Sequence, residues 1–210
     1  MLHKKNHKRR LLFWVCISAV LSFSGFAFWP VFLIKLGPLW TLTNTQIGWI
    51  SGGYFIGYVI ATPILVGLTD RIDSKLIFIF GCLVGIAGNL SFILFAESFL
   101  TALLTWSFIG CGLAGTYMPG LQILNARLQK KERINAVPWY TATFSIGTAI
   151  SFLLMGFMLI NFDYVLAINL NIFFLIISGL LIYIFILPQN VELPKETSLR
   201  NPLDFRLVIK

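Results

Sequence analysis

The chain has 210 residues, of which 58% are hydrophobic and only 11% charged, and its mean hydropathy is +0.86. Soluble domains carry about 25% charged residues, so this composition excludes an ordinary soluble domain and predicts a polytopic membrane protein. The net charge of +8 at pH 7 would suit a nucleic-acid partner, but the location of the charges, considered below, argues against one.

The chain opens with a basic arm, residues 1–10, which holds five Lys and Arg side chains and both histidines. The apolar run that follows, residues 11–36, is too long for the hydrophobic region of a signal peptide, and further apolar runs come after it. We therefore predict an uncleaved first span. A bend is expected near Trp29-Pro30, because Pro30 has no N–H to donate.

Two more apolar runs, residues 47–66 and 76–95, each have the length of a membrane-crossing helix. The connecting stretch contains four charged side chains, whose desolvation is costly, so it is expected at a membrane surface. Gly67 can end the earlier helix. The earlier helix also contains two small-residue pairs that allow close helix packing, Gly48-x3-Gly52 and Gly53-x3-Gly57.

The fourth span is predicted from Phe99 to about Leu124. Its C-terminal half is dense in glycine and is followed by a proline, which predicts a tightly packed and bent helix. The candidate packing and bend residues are Gly110, Gly112, Gly115 and Pro119.

The fifth span is predicted to begin near Pro138, a suitable first-turn residue. One face of this helix, at helical spacing, holds Tyr140, Phe144, Gly147 and Ser151. An adjoining stripe of hydroxyl groups consists of Thr141, Ser145 and Thr148. The stripe is compatible with hydrogen bonds between helices or with a surface that faces the substrate. The candidate cavity-lining residues in this span are Tyr140, Thr143, Gly147 and Ser151.

The sixth span is predicted at residues 165–187, within a transmembrane bundle that covers residues 11–187. The remainder, residues 188–210, is polar, contains three prolines and is predicted to be a cytoplasmic linker. A cytoplasmic N-terminus places 15 of the 16 Lys and Arg residues on the cytoplasmic side and leaves Lys35 on the other. The basic balance therefore reflects membrane orientation, and no nucleic-acid partner is expected.

All eight acidic residues lie in predicted loops, helix ends or the tail, so no titratable group is obvious on a transport pathway. The two histidines lie in the basic arm. The cysteines lie in separate spans without metal-ligand spacing. We predict that the chain is not an enzyme and has no metal site and no cofactor.

Residues 66–75 resemble the signature loop of the major facilitator superfamily, Gly-x-x-x-Asp-Arg-x-Gly-Arg-Arg/Lys. Three positions match, while the first glycine comes one residue late and the second glycine and one arginine are Asp73 and Ser74. In the family, the loop aspartate meets the N-terminal end of a helix in the other half of the protein. The resemblance implies that the gating residues are Gly67, Asp70, Arg71 and Lys75.

Residues 110–120 are similar to the fourth helix of some bacterial members of this superfamily, over the run Gly-x-Gly-Leu-Ala-Gly-Thr-Tyr-Met-Pro-Gly. Two positions differ. Trp106 stands where the superfamily often has arginine, and Ala126 stands where an acid often follows the helix and can pair with the arginine of the signature loop.

The resemblance implies an all-α membrane protein with six transmembrane helices, arranged as two inverted three-helix repeats that form the N-terminal bundle of the superfamily. Its function would be secondary transport of a small solute across a bacterial inner membrane by alternating access, with both termini cytoplasmic. The partners are the lipid bilayer, a small-molecule substrate and a second six-helix half, with proton coupling left open. Three accounts of the chain remain, a fragment, a half that assembles with another chain and a complete six-span protein, and the first is favoured. The alternative function is a non-transporting six-span scaffold or an inactive truncated remnant.

Overall fold

The computed structural model describes residues 2–188, with side chains from Lys8 onward. This part of the chain is helical throughout, and five of its helices, α3 to α7, are long and apolar enough to cross a membrane. The predicted linker lies outside the described residues, apart from Pro188. The helices are α1 (Leu2–Ser22), α2 (Phe28–Leu39), α3 (Asn44–Leu68), α4 (Ser74–Phe95), α5 (Phe99–Arg127), α6 (Lys130–Asn161) and α7 (Tyr164–Phe185).

The predicted first span corresponds to two helices, α1 and α2, separated by turns at residues 23–27. The predicted bend at Trp29-Pro30 is therefore misplaced, because the chain breaks before Pro30. Pro30 is the third residue of α2, where a backbone N–H has no intrahelical acceptor, so its ring is tolerated. The expected count of six spans depends on α1 and α2 crossing the membrane as one unit.

The connection between α5 and α6 is shorter than predicted. Helix α5 ends at Arg127 and α6 begins at Lys130, so only Leu128 and Gln129 separate them. The predicted spans were further apart, because the fourth was expected to end at about Leu124 and the fifth to begin near Pro138. The start of α6 is fixed by a capping box, in which the Gln129 N–H donates to Glu132 Oε2 at 3.0 Å. Both α5 and α6 continue through an internal proline without a break in helical structure.

Helix α5 is the centre of the bundle and packs against α4 on one side and α3 on the other. At the α4 interface, a Cβ atom added to Gly112 would lie 2.6 Å from Gly85 Cα, and one on Gly115 would lie 2.5 Å from Gly81 Cα. Backbone therefore meets backbone, the arrangement that small residues permit in membrane helices.

The α3 interface uses one of the two glycine pairs. A Cβ atom on Gly57 would collide with the Ser107 carbonyl of α5, whereas Cβ atoms on Gly48 and Gly52 would meet nothing within 4 Å. Gly53 is also close to α5, since its Cβ would lie 2.7 Å from Ser107 Oγ. Packing within this bundle accordingly involves Gly53 and Gly57.

Buried aromatic rings fill the end of the bundle near α2. Trp106, only 3% exposed, contacts the rings of Phe28, Tyr54 and Phe92 at centroid distances of 5.7, 5.2 and 5.9 Å. Neighbouring Trp29 donates from its indole nitrogen to Ser51 Oγ at 3.0 Å. Because this site is apolar and filled, it suits the indole of Trp106 better than a charged side chain.

The opposite end of the bundle gathers charged side chains from several helices. Lys8 of α1 forms an ion pair with Glu132 of α6, and Asp73, the N-cap of α4, pairs with Arg127 of α5. At the other end, Lys35 of α2 donates to the Leu159 carbonyl of α6. These contacts place the starts of α1, α4 and α6 and the end of α5 on one side of the bundle.

Candidate functional site

The predicted signature loop connects α3 and α4 and divides into an exposed and an internal part. Asp70 and Arg71 are exposed at the turn. Asp73 caps α4, because its Oδ1 accepts from the Lys75 N–H at 3.0 Å. Gly67 lies in the last turn of α3, as the sequence predicts for a helix end.

Lys75 belongs to the internal part of the loop, since only 6% of it is exposed. Its ammonium group donates to the carbonyl oxygens of Tyr183 and Ile186 at 2.9 and 2.6 Å. These carbonyls lie at the C-terminal end of α7, where intrahelical donors run out and a cation is favoured. Lys75 therefore fastens α4 to α7.

The ion pair between Asp73 and Arg127 links the loop to the end of α5. Arg127 Nη2 donates to both carboxylate oxygens at 2.9 and 2.8 Å and also to the Leu187 carbonyl at 2.9 Å. Sequence reasoning missed this pair because it looked for an acid at Ala126 to meet Arg71. In the structure the two positions are exchanged. The acid, Asp73, lies in the loop, and the cation, Arg127, directly follows Ala126.

A second polar cluster surrounds the break between α1 and α2. Ser151 of α6 satisfies both sides of the break, accepting from the Ala27 N–H at 2.9 Å and donating to the Ser24 carbonyl at 2.7 Å. Ser24 Oγ in turn donates to Asn171 Oδ1 of α7 at 2.9 Å. Because backbone groups freed by a broken helix are costly in a membrane, these bonds stabilise the break.

Two buried asparagines extend this cluster. Asn171 donates to Asn89 Oδ1 of α4 at 3.0 Å, and Asn89 donates to the Gly85 carbonyl at 2.7 Å. A Cβ atom on Gly25 would collide with the Asn171 amide, so glycine leaves room for it. A small cavity of about 20 Å³ adjoins this amide and Thr116. The break is thus held by side chains from α4, α6 and α7.

An aromatic face lies beside the break and consists of Phe26, Phe55, Tyr117 and Phe144. Phe26 is only partly buried, and its ring lies 6.2 Å from Phe55 and 5.8 Å from Phe144. The rings of Tyr117 and Phe144 are also 5.8 Å apart, and both side chains are half-buried. Four elements, the break, α3, α5 and α6, therefore present rings on one accessible surface.

The predicted cavity-lining residues of α6 lie behind this aromatic face, between helices. Tyr140 is fully buried and donates to the Tyr117 carbonyl at 2.6 Å, while Thr143 donates to the Tyr140 carbonyl at 2.5 Å. A Cβ atom on Gly147 would lie 2.8 Å from Phe23 Cβ. The hydroxyl groups of Tyr140, Thr143 and Ser151 all have partners inside the bundle, and water access to these residues stays a prediction.

Comparison with protein families identifies the chain. The family model of the Major Facilitator Superfamily matches residues 4–208. The chain belongs to this superfamily. The match covers nearly the whole chain. A search of the curated proteins gave no match.

A solved structure shows the same fold. This major facilitator is similar to the structure of the POT family transporter PepTSo, with a TM-score of 0.69 and 16% sequence identity. The similarity covers 89% of this chain and 40% of PepTSo, so the chain spans less than half the length of that transporter. At 16% identity the similarity shows the fold alone.

For Asp70, in the exposed part of the signature loop, we predict different effects of one mutation on stability and on transport. Because Asp70 is exposed, we expect Asp70→Asn to leave the melting temperature of the 210-residue chain in detergent nearly unchanged. When a complementary six-helix half is supplied, we expect the same change to reduce transport at least about fivefold, through loss of a charge contact with the other half. A large loss of thermal stability would instead place Asp70 in the fold of this bundle, and unchanged transport would remove it from the gate.

Proposed function

We propose that the chain forms a six-span bundle of a solute transporter that works by alternating access. In this proposal α1 and α2 share the first span, and helices up to α4 and from α5 onward form two inverted three-helix repeats. The superfamily match over residues 4–208 and coverage of 40% of PepTSo support a bundle that works against a second one.

The aromatic face is the proposed solute-contacting surface, and its accessible rings are the observation on which the proposal depends. It adjoins the broken first span, and discontinuous helices mark substrate sites in many transporters. Within residues 8–188, every Asp and Glu lies in a loop or in the first turn of a helix. A surface with rings and without acids favours a neutral or lipophilic solute, and coupling to protons would need a titratable group from elsewhere.

The charged end of the bundle is proposed to face the cytoplasm of a bacterial cell, with the bundle in the inner membrane. The α5–α6 connection is flanked by Arg127, Lys130, Lys131 and Arg133, and the α3–α4 connection holds Arg71 with Lys75 just beyond it. Two connections at the opposite end carry Glu97 and Asp163 and contain no Lys or Arg. Retention of cations on the cytoplasmic side is the general rule for multi-pass proteins.

Single cysteines can test this topology. We expect cysteine at Asp70 or Lys131 to resist an impermeant thiol reagent added to intact cells, and cysteine at Glu97 or Asp163 to react. All four positions are exposed in the structure, so protection would reflect the membrane and not burial in the protein. The background variant would carry alanine at the three native cysteines, Cys16, Cys82 and Cys111. Labelling of Asp70→Cys or Lys131→Cys in intact cells would contradict the orientation.

Transport itself can be tested with a neutral fluorescent dye such as Nile red. Cells that produce the chain, alone and together with a second six-helix half, would be compared with cells that produce neither. We expect a change in dye accumulation when both halves are present, and a reduction of that change by about fivefold to tenfold in Phe26→Ala or Phe144→Ala. Phe80→Ala is the control, because Phe80 is 52% exposed on α4, away from the aromatic face.

Unchanged accumulation of a panel of neutral dyes, with the chain present in the membrane, would count against transport of such solutes and favour the non-transporting scaffold. Equal effects of Phe80→Ala and Phe144→Ala would remove the aromatic face from the pathway.

A further inference from the structure

A groove opens at the charged end of the bundle, between α1 and the C-terminal ends of α5 and α7. It has a volume of about 620 Å³. Its walls combine three cations with apolar and aromatic side chains, chiefly Lys8, Arg10, Trp14, Arg127, Phe185 and Leu187. We propose that this groove binds an anionic phospholipid of the surrounding leaflet, with the headgroup phosphate among the cations and an acyl chain along the apolar wall.

The charge of the groove favours an anion. Lys8 and Arg127 are each engaged by an acid, Glu132 and Asp73, so these two pairs are close to neutral. Arg10 is exposed, and none of the ion pairs within residues 8–188 includes it. The groove therefore carries a net positive charge with one accessible guanidinium, which suits two-pronged binding of phosphate oxygens.

The apolar wall favours a lipid over a free anion. Trp14 stacks on Phe185 with ring centroids 3.9 Å apart, and both belong to residue types that anchor helices at the boundary of the hydrocarbon region. Leu187 is 67% exposed beside them. A soluble phosphate ion would gain nothing from this wall, whereas an acyl chain would bury it.

The position of the groove also matches a headgroup. It lies where α1 passes from the basic arm into the apolar run and where α7 ends, beside Arg127 and the Leu187 carbonyl oxygen that this arginine binds. Basic pockets between helix ends at a membrane surface are typical sites for anionic headgroups. The inference needs the chain to lie in a bilayer but does not depend on transport.

Native mass spectrometry of the purified 210-residue chain can measure this binding. We expect phosphatidylglycerol to give more bound adducts than phosphatidylcholine with the same acyl chains. Arg10→Gln should reduce the phosphatidylglycerol adducts about fivefold, the effect of one cation near an anionic surface, without changing the phosphatidylcholine adducts. Lys35→Gln removes a cation at the opposite end and should change neither.

One further variant and a competition measurement identify the occupant. Leu187→Ser should weaken phosphatidylglycerol binding and leave any effect of free glycerol phosphate unchanged, because only the lipid uses the apolar wall. Displacement of the lipid by glycerol phosphate at equal concentration would show that the groove recognises a free anion, and would overturn the proposal.

Pro188, the last residue that the structure describes, lines the groove, so the segment that follows is the competing occupant. If phosphatidylglycerol bound only to a chain shortened to residue 188, that segment would be the occupant and the proposal would be wrong. Equal losses in Arg10→Gln and Lys35→Gln would likewise overturn it, since they would show general attraction of anionic lipid to a cationic protein.

Discussion

Replacement of Arg127 by alanine is expected to lower the melting temperature of the purified chain in detergent by about 6–12 °C. The change leaves the Asp73 carboxylate, 9% exposed, without its two-pronged cation and also removes the bond to the Leu187 carbonyl. Loss of one partner of a buried ion pair costs about 3 kcal/mol. In a chain of this size, that cost corresponds to the stated range of temperature.

The melting can be followed with a thiol-reactive dye, because Cys82 is only 2% exposed and becomes reactive when the bundle opens. Lys131→Ala is the matched control, since it removes an exposed cation two residues into the neighbouring helix. The double variant Asp73→Ala/Arg127→Ala should recover part of the stability, because neither member of the pair is then left as a buried charge without the other. Equal melting of Arg127→Ala and Lys131→Ala would show that the ion pair contributes nothing.

Gly112→Ala is expected to destabilise the bundle by about 3 kcal/mol, at the upper end of the range for an overpacked core. The added methyl group would lie 2.6 Å from both Gly85 N and Gly85 Cα. The obstacle is backbone on a facing helix and not a side chain that can rotate, so α4 and α5 must separate along their shared interface.

Gly48→Ala provides the control with the opposite sign. Its Cβ would meet nothing within 4 Å, and alanine favours a helix over glycine by about 1 kcal/mol. Thermal unfolding of both variants in the same detergent should therefore show a loss for Gly112→Ala and an unchanged or raised melting temperature for Gly48→Ala. Similar losses in both variants would mean that glycine itself, and not the close contact, sets the stability.

The positions of the long helices could be predicted from the sequence because the hydropathy of a 20-residue run is a local property. The break in the first span could not. Proline suggested a bend at Trp29-Pro30, but the break at residues 23–27 is stabilised by Ser151 and Asn171, which are more than 120 positions away in the sequence. The length of the α5–α6 connection was also predicted wrongly. The polar, charged stretch before Pro138 has the composition of a loop, but in the structure it forms the first turns of α6.

The connection between the helices now labelled α3 and α4 was predicted from the sequence, but the contacts of its residues were not. Successive side chains on a helix point about 100° apart, so Ala126 and Arg127 face different neighbours. The glycine pairs show a similar limit. Gly48-x3-Gly52 and Gly53-x3-Gly57 are equivalent in spacing, and only the assembled bundle determines that the second pair faces α5.

The hydrogen bonds at the break imply an order of events during synthesis. Helices α1 and α2 are synthesised before α6 and α7, which supply Ser151 and Asn171. Until those helices arrive, the Ala27 N–H and the Ser24 carbonyl lack the partners that they have in the finished bundle, a costly condition in hydrocarbon. Helices α1 and α2 therefore reach their final conformation only after α6 and α7 have been made and packed against them.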